Sequence, residues 1–504
     1  DFLPPQPLAQ AIEALKQPAE AVTDIPRFLG TLRSYQAYAV GWLKARLEWG
    51  IGVLLADDMG LGKTVEIIAM LLSWWETHPQ DTPVLIICPL SVIRNWEQEW
   101  EHFSQNVLVG CHVGSQRVTG DDWAAWTNKF DVVLTTYDVL SRDHQFMKEI
   151  HWAGIIVDEA QHLKNHHTKR AQALRCLSSK WRIALTGTPV ENRLRDLWAI
   201  IEFLNPDFLG PEDVFREEYE RPIALDQNAH VAEDLRNMIA PFVLRRLKTD
   251  PLLVPDLPPK TEINEWASLT NEQAGLYQAI VQKLLGTIGQ LDQHSVQRRG
   301  AILAGITYLK QVVNHPAQYL RQKGPIAGRS GKLMRLEQIL EDILQVQERT
   351  VIFTQYVQMG RILFSYLPKK FQSPVLFLHG GLPKAERDHI IETFQKDSSS
   401  AILVSSLKAG GVGLNLAMAQ HVIHYDRWWN PAVEDQATDR VWRLGQQQRV
   451  TVHKLITRGT IEDRIDQLIT AKRRIGQSII ETMNSEQWIT TLDNEQIRDF
   501  LMLG

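Results

Sequence analysis

The sequence predicts an α/β protein with two consecutive lobes, each containing a parallel β-sheet covered by helices on both faces. Between residues 53 and 186, short apolar runs alternate with helix-like segments, which is typical of parallel strands joined by crossover helices. The same rhythm returns after residue 349. The chain has 504 residues, of which 44% are hydrophobic, and this length favours several domains over a single core.

The predicted strands are apolar runs of four to six residues. In the first lobe they are Val53 to Ala56, Val84 to Cys88, Val132 to Thr135, Ile155 to Asp158 and Arg182 to Thr186. In the second lobe they are Thr350 to Thr354, Val375 to His379, Ala401 to Ser405, His421 to Tyr425 and Val450 to Leu455. Residues 200–330 lack this rhythm and are rich in helix formers, and prolines between 251 and 259 divide them into two predicted helical insertions.

Six ranges follow from this pattern. They are a linker or helix at 1–30, the first lobe at 31–204, its helical insertion at 205–255, a linker and second helical insertion at 256–330, the second lobe at 331–480 and a C-terminal helical brace at 481–504. Because the chain opens with Asp1 and a proline-rich stretch, we expect it to be a fragment of a longer protein. Its upstream region would then be a place for protein partners to bind.

The segment that follows the first apolar strand predicts a loop that binds phosphate groups, here called the phosphate loop (residues 57–62). Its glycines let main-chain N–H groups turn toward a polyphosphate at the start of the next helix. Lys63 would reach the β- and γ-phosphates, and the Thr64 hydroxyl would bind Mg²⁺. The residues predicted to contact the nucleotide are Asp57, Met59, Gly60, Leu61, Gly62, Lys63 and Thr64. The alternative is a glycine-rich turn without a ligand.

An acidic pair, Asp158 and Glu159, follows another apolar strand. Asp158 would hold Mg²⁺, and Glu159 would orient the water molecule that attacks the γ-phosphate. Adjacent carboxylates at a strand end are common, but their position after the phosphate loop in the same lobe favours a site that hydrolyses a nucleotide. The phosphate loop departs from the usual pattern at Asp57, which occupies the place of its first glycine.

The second lobe contains an arginine pair, Arg440 and Arg443, which is predicted on one face of a helix. Arginines presented to a nucleotide on the first lobe would act as fingers that stabilise charge in the transition state. Two ordinary surface arginines are the alternative. The glycine-rich segment 406–415, which includes Gly413, precedes them and favours the first interpretation because it leaves main-chain N–H groups free near a sheet edge.

Composition excludes several other classes of protein. Cys88, Cys111 and Cys176 have neither metal-ligand nor redox spacing and are predicted to be core residues in a reducing cytoplasm. No apolar run approaches the roughly 18 residues that span a bilayer, so no membrane partner is predicted. The net charge of -5 argues only mildly against binding to nucleic acid, because a basic groove can lie within an acidic surface.

Taken in order, the motifs resemble those of the Swi/Snf family of DNA translocases in helicase superfamily two. The matching segments are Leu32 to Gln36, Asp57 to Thr64, Pro89 to Trp96, Thr135 to Asp138, Asp158 to Gln161, Leu185 to Pro189, Val351 to Tyr356, Leu378 to Gly381, Ser406 to Leu416 and Asp435 to Gln446. Family-specific blocks are Phe242 to Lys248, Asn314 to Pro316 and Asp426 to Pro431. The resemblance is nearest to archaeal and bacterial members related to the recombination-repair translocase. It departs from the family at Gln161, where many relatives carry His, and at Ser34, where Pro is usual.

This resemblance implies two tandem RecA-like lobes with helical insertions in each, and a DNA-dependent ATPase that uses ATP and Mg²⁺. It implies movement along double-stranded DNA without strand separation, and remodelling of DNA or protein–DNA complexes. Gln36 would read the adenine base, and Thr186 and Thr188 would couple the phosphate state to lobe movement. A strand-separating helicase of the same superfamily and a non-catalytic DNA-binding scaffold are the alternatives.

The implied DNA track runs across both lobes and contacts the phosphate backbone, independently of base sequence. Its candidate residues are Ser91, Arg94, Asn95, Thr136, Lys164, Asn165, Thr354, Gln355, Lys408, Gly410 and Trp428, with Trp429 nearby. His162, His166 and His167 are predicted to belong to a polar loop near the DNA, since no carboxylate or cysteine lies at ligand spacing. We expect the protein in the cytoplasm, associated with the nucleoid.

Overall fold

The computed structural model describes most of the chain. The described residues are 19–90, 92–163, 168–187, 194–224, 228–248, 250, 253, 257–292, 295–397, 401–406, 416–475, 489–490 and 492–503, without the side chains of 384 and 471–475. They form two compact units, the first within residues 19–253 and the second within residues 257–503. In this part of the chain, no helix combines the length and the apolar character that crossing a membrane requires.

The first unit is built around a seven-stranded parallel sheet. Its strands are β1 Val53–Leu55, β2 Val84–Cys88, β3 Val109–His112, β4 Val132–Thr136, β5 Trp152–Asp158, β6 Ser179–Leu185 and β7 Val243–Leu244. They lie in the order β3-β4-β2-β5-β6-β1-β7. The α-helices are Ser34–Leu47, Lys63–Thr77, Ile93–Phe103, Asp122–Thr127, Tyr137–Met147, Lys169–Arg175, Leu194–Leu204, Glu212–Phe215, Arg221–Ala224 and Ala229–Ile239. Short 3-10 helices at Ala160–Leu163 and Ala240–Phe242 and a π-helix at Arg216–Glu220 complete the unit.

The second unit contains a six-stranded parallel sheet. Its strands are β8 Lys260–Ala267, β9 Thr350–Thr354, β10 Val375–Leu378, β11 Ile402–Ser406, β12 His421–His424 and β13 Val450–Thr457. They lie in the order β10-β11-β9-β12-β13-β8. The helices are Asn271–Ile288, Val296–Asn314, Pro316–Leu320, Gly331–Gln345, Val357–Phe371, Lys384–Lys396, Pro431–Thr438, Ile461–Ile475 and Asn494–Leu501.

The central strands of both sheets are buried along their whole length. Every residue of β2, β4 and β5 is buried in the first sheet, as is every residue of β9 and β11 in the second. A strand with helices on both faces has no solvent-facing side, so it reads as a continuous apolar run instead of an alternating one. This is why all ten predicted strands are found, and the predicted fold class of two tandem RecA-like α/β lobes is confirmed.

Three strands lie where the sequence predicted none, and all three are at or near a sheet edge. The longest is β8, in the range predicted to be a linker and helical insertion, and it pairs with β13 over all eight of its residues. Its side chains are mostly charged or polar and mostly exposed, with the apolar Ile263 standing between polar neighbours, so it has no apolar run of strand length. Ion pairs such as Glu262 with Lys454 hold this edge in place. The range 256–330 is therefore corrected to one strand plus helices, while the domain boundaries stay predictions.

Candidate nucleotide-binding site

Sheet order brings the predicted nucleotide residues of the first unit together. Strands β5, β6 and β1 are neighbours and run parallel, so their carboxyl ends lie at one edge of the sheet. The phosphate loop follows β1, the pair Asp158 and Glu159 ends β5, and Thr186 follows β6. The main-chain N–H of Thr186 also donates to the carbonyl of Leu55 at 3.1 Å, which ties the two strand ends together.

The phosphate loop has the geometry that a polyphosphate needs. Gly60 and Gly62 have φ angles of 80° and 89°, a left-handed conformation that other residues rarely adopt. A Cβ atom at Gly62 would also lie 2.5 Å from the Gln36 amide nitrogen. The helix Lys63–Thr77 begins directly after Gly62 without a side-chain cap, so its first N–H groups are available to an anion.

Lys63 is held at the loop by main-chain oxygens. Its ammonium donates to the carbonyl of Asp57 at 2.6 Å and to the carbonyl of Asp58 at 3.3 Å. Both bonds are to neutral acceptors. A phosphate oxygen is a stronger, charged acceptor, so the ammonium can exchange these carbonyls for a nucleotide without breaking an ion pair.

Gln36 also contacts the phosphate loop. Its amide nitrogen donates to the carbonyl of Leu61 at 3.1 Å, and its amide oxygen accepts from the N–H of Arg33 at 3.0 Å. The hydroxyl of Tyr35 donates to the same Leu61 carbonyl at 2.7 Å. The helix Ser34–Leu47 therefore holds the loop from the side on which the resemblance places the adenine base.

Asp57 has a buried ion-pair partner that the sequence did not predict. Its carboxylate is fully buried and forms an ion pair with Arg246. The carboxylate of Asp57 is thus paired within the protein and its carbonyl accepts from Lys63, while the contact of this residue with the nucleotide stays a prediction. Sequence reasoning missed this partner because it lies 189 residues further along the chain.

Asp158 is buried and firmly oriented. One carboxylate oxygen accepts from the indole N–H of Trp96 at 3.0 Å, and the other accepts from the N–H of Glu159 at 2.8 Å. The hydroxyl of Tyr137 donates to the Asp158 carbonyl at 2.8 Å. Burial and the neighbouring Glu159 charge raise the pKa of Asp158 to about 7, against the opposing effect of Trp96 and Lys63. A cation beside this carboxylate would relieve that cost.

A chain of hydrogen bonds links the acidic pair to the end of β6. Glu159 has a left-handed φ of 53°, and its carboxylate accepts from the amide nitrogen of Gln161. The amide oxygen of Gln161 accepts from the hydroxyl of Thr186 at 2.8 Å. An amide can donate at one end and accept at the other, so Gln161 performs this link where many relatives carry His.

The residues of this edge suit Mg²⁺ and a nucleoside triphosphate. The carboxylate of Asp158 and the hydroxyl of Thr64 are oxygen donors, which Mg²⁺ prefers. Each Asp158 oxygen accepts one hydrogen bond, which leaves further lone pairs for a metal or its water ligands. Among the described residues, no group of three or more His, Cys, Asp and Glu could hold a metal ion.

The predicted helix around the two arginines is wrong. The helix Pro431–Thr438 ends before Arg440, and Arg440 and Arg443 lie in the turns that follow it. Asp439 caps the helix by donating its N–H to the carbonyl of Asp435 at 2.8 Å. Arg440 is 9% exposed and Arg443 is half-buried. Their role as arginine fingers stays a prediction, and Gly413 lies outside the described residues.

The DNA candidates of the first unit lie at the other half of the sheet edge. Arg94 and Asn95 are on the helix after β2, and Thr136 ends the neighbouring strand β4. Arg94 is exposed, whereas the Asn95 amide donates to Glu99 at 2.9 Å. The hydroxyl of Thr136 caps the next helix by accepting from the N–H of Val139, so this side chain has a structural role. Ser91, Lys164 and Asn165 lie outside the described residues, as do His166, His167 and Thr188.

Two residues predicted along the DNA track of the second unit are buried. Thr354 is fully buried and its hydroxyl donates to Asp426 at 2.6 Å, so this side chain points into the unit, and the DNA contact of Thr354 stays a prediction. Trp429 packs in a hydrophobic core of helices and cannot stack on a base. Gln355 is half-buried, and its amide nitrogen donates to the Arg427 carbonyl at 2.6 Å. Trp428 is half-buried. Lys408 and Gly410 lie outside the described part.

The chain matches two sequence families: the SNF2-related domain over residues 35–318 and the helicase conserved C-terminal domain over residues 331–445. YwqA of Bacillus subtilis is 45% identical over 481 residues, covering 95% of this chain and 52% of YwqA. The mouse SWI/SNF-related matrix-associated actin-dependent regulator of chromatin subfamily A member 1 is 34% identical over 472 residues, covering 90% of this chain and 44% of that protein.

Among solved structures, the SWI2/SNF2 ATPase core of Sulfolobus solfataricus in complex with dsDNA is 42% identical to this chain, with a TM-score of 0.47. The match covers 97% of this chain and 100% of the chain in that structure. The chain spans about half the length of the curated relatives it matches. The SNF2-related domain alone matches more than half of the chain. The chain therefore belongs to the SNF2-related, or Swi/Snf, family of helicase-like ATPases.

Proposed function

We propose that this protein is a DNA-dependent ATPase that moves along double-stranded DNA without separating the strands, and that it remodels DNA or protein–DNA complexes. The observation that carries the proposal is the carboxyl edge of β5, β6 and β1, where an uncapped helix start and a buried acidic pair follow strands of the same sheet. Its support also includes the relatives, since YwqA bears the name of an ATP-dependent helicase/translocase and the mouse relative that of a regulator of chromatin.

In the proposed reaction, the first unit binds ATP. Lys63 leaves the carbonyls of Asp57 and Asp58 for the β- and γ-phosphates, and Gln36 reads the adenine base through its amide. Asp158 and Thr64 would hold Mg²⁺, which would neutralise phosphate charge when bound. Glu159 orients the attacking water molecule.

The second unit completes the site in this proposal. Arg440 and Arg443 meet the charge that develops on the γ-phosphate in the transition state. Closing of the two units on ATP and opening after hydrolysis would alternate their grip on DNA. The Gln161 link between Glu159 and Thr186 provides a route by which the state of the phosphate alters the end of β6.

Double-stranded DNA is the proposed partner, bound through its phosphates. Arg94 and Gln355 are the described candidates that retain polar side chains at the sheet edges, together with Asn95 and Trp428. Such contacts position the protein without reading bases. A protein with this substrate would associate with the nucleoid.

Two assays on the same DNA separate translocation from strand separation. Displacement of a third strand from a triplex requires movement along the duplex alone, whereas release of a labelled strand from a forked duplex requires unwinding. We expect ATP-dependent triplex displacement without strand release. Strand release at a comparable rate would favour the alternative of a strand-separating helicase.

Trp96 is expected to support turnover through its hydrogen bond to Asp158. In Trp96→Phe the indole N–H is lost, so the carboxylate loses one of its orienting donors. Residues that orient a metal ligand typically contribute about 10- to 100-fold in metal affinity or activity. We therefore expect ATP turnover to fall by about tenfold at limiting Mg²⁺, with partial recovery at high Mg²⁺. Steady-state ATP hydrolysis over a Mg²⁺ series measures this.

The matched control for this variant is Trp100→Phe. Trp100 is on the same helix and is equally buried, but its indole N–H has no hydrogen-bond partner within the described part of the chain. Both substitutions remove a similar apolar area, so thermal unfolding should shift by similar amounts. Equal loss of turnover in the two variants would show that packing, and not the bond to Asp158, accounts for the effect.

A further inference from the structure

A segment distant in sequence runs along the phosphate loop. Strand β7 pairs with β1, and the N–H of Ala56 donates to the carbonyl of Leu244 at 2.7 Å. Beyond the strand, the N–H of Asp58 donates to the carbonyl of Arg246 at 3.1 Å, and the N–H of Lys248 donates to the Asp58 carboxylate at 2.9 Å. Residues 243–248, here called the strap, therefore follow the chain from the end of β1 into the loop.

The side chain of Arg246 joins three elements of the nucleotide site. Its Nε donates to both carboxylate oxygens of Asp57 at 3.0 Å, and its Nη2 donates to Glu66 Oε1 at 2.8 Å in the first turn of the helix after the loop. Nη1 donates to the carbonyl of Tyr35, and the guanidinium lies 5.0 Å from the centre of the Tyr35 ring. One guanidinium thus connects the loop, the helix that follows it and the helix that carries Gln36.

The charges of this cluster make Arg246 indispensable to it. The carboxylates of Asp57 and Glu66 are both fully buried, and the guanidinium is 8% exposed. Arg246 forms an ion pair with each of these two carboxylates. The second carboxylate oxygen of Glu66 has no hydrogen-bond partner among the described residues. The hydrogen bond between this carboxylate and the guanidinium is therefore made by the first oxygen, which accepts from Arg246. Removing Arg246 would leave the carboxylates of Asp57 and Glu66 buried without the guanidinium that pairs with both.

We propose that Arg246 is a positioning residue for ATP: it fixes the phosphate loop, through Asp57 and Glu66, in the shape that accepts the phosphates. The inference rests on the proposed function, because it requires that this loop binds ATP. Asp57 stands where phosphate loops usually have their first glycine, and its buried carboxylate gives the guanidinium a fixed anchor beside Lys63. A lysine could not replace Arg246, because Nε and Nη2 of the guanidinium both donate to Asp57 while Nη2 also donates to Glu66 and Nη1 to the Tyr35 carbonyl.

The first test is Arg246→Lys, which keeps the charge and loses the planar fork. We expect the KM for ATP to rise about tenfold or more while kcat changes much less. If the loop is no longer held in shape, ATP must order it on binding, and this cost weakens the binding of the substrate and of the transition state equally. A Kd for ATP measured by fluorescence at equilibrium should rise by the same factor. An unchanged KM and Kd would overturn the proposal.

A second variant removes the charges without leaving any of them unpaired. Arg246→Met combined with Asp57→Asn and Glu66→Gln is neutral throughout, so it avoids the large destabilisation that an uncompensated buried charge causes. We expect this triple variant to fold with a melting temperature close to the native one, and yet to bind ATP about tenfold or more weakly. Native ATP affinity in this variant would show that the cluster only stabilises the fold.

The matched control is another arginine–aspartate pair of the first unit. Arg117 donates two hydrogen bonds to Asp143, at the far edge of the sheet beside β3, and both side chains are largely buried. Arg117→Met with Asp143→Asn should leave the KM for ATP unchanged. If the native protein shows no ATP hydrolysis with DNA, the proposed function fails. If the native protein hydrolyses ATP and the Arg246 variants have the native KM and Kd for ATP, the inference fails while the proposed function stands.

Discussion

Replacing Lys63 with alanine is expected to abolish ATP hydrolysis with and without DNA, while duplex binding stays close to native. Among the described residues, the hydrogen bonds of the Lys63 ammonium go to main-chain carbonyls of the loop, so its loss breaks no direct ion pair. In the reaction it would carry the positive charge nearest the β- and γ-phosphates. Removing one such group typically costs about 10²- to 10³-fold in kcat, and we expect at least the upper figure here. Phosphate release measures turnover, and fluorescence anisotropy measures DNA binding.

Lys44→Ala is the control for this variant. The Lys44 ammonium likewise donates to a main-chain carbonyl, that of Ser73 at 3.1 Å, but on the helix beyond the phosphate loop. We expect a modest loss of thermal stability in Lys44→Ala and near-native turnover. Normal hydrolysis by Lys63→Ala would remove Lys63 from the phosphate site.

Arg440→Ala is expected to lose roughly 10³- to 10⁵-fold in DNA-stimulated kcat, the usual effect of an arginine finger. The reason is that the guanidinium would meet charge present only in the transition state, so ATP affinity and DNA affinity should change little. Arg440→Lys should restore only a small part of the rate, because an ammonium cannot present two parallel N–H donors to phosphate oxygens. Single-turnover hydrolysis with saturating duplex measures the effect.

Arg449 offers the comparison, because it is exposed and lies just before β13. Arg449→Ala should hydrolyse ATP like the native protein. Since Arg440 is mostly buried, the melting temperature of Arg440→Ala must be followed beside its rate. A stable Arg440→Ala protein with native turnover would contradict the assignment of Arg440 as a finger.

Sequence reasoning succeeded where one local feature determines the structure. The run Ile155 to Asp158 has apolar residues on both faces, so it could only be a buried strand, and the acidic pair at its end follows directly. The same holds for the glycines of the phosphate loop, whose φ angles are left-handed as the motif requires. In these places the local sequence and the fold agree.

Sequence reasoning failed where a side chain has a partner far along the chain, or where a strand is polar because it lies at a sheet edge. Nothing near Asp57 indicates that Arg246 neutralises it, because the two meet only when β7 pairs with β1. Strand β8 was not predicted because its edge position lets it carry charged side chains instead of an apolar run. The helix predicted at Arg440 was wrong because residue spacing alone does not reveal where the helix Pro431–Thr438 ends. Thr354 shows that a motif residue at a strand end can point into the unit.

The rate of ATP hydrolysis with different nucleic acids, at one fixed salt concentration, tests the central claim most directly, because phosphate binding depends steeply on ionic strength. Duplex DNA, single-stranded DNA and RNA of equal length should be compared at saturation. We predict that duplex DNA stimulates hydrolysis strongly and that the other two do so weakly or not at all. Equal stimulation by single strands, or no hydrolysis with any of the three, would contradict a motor that moves along duplex DNA.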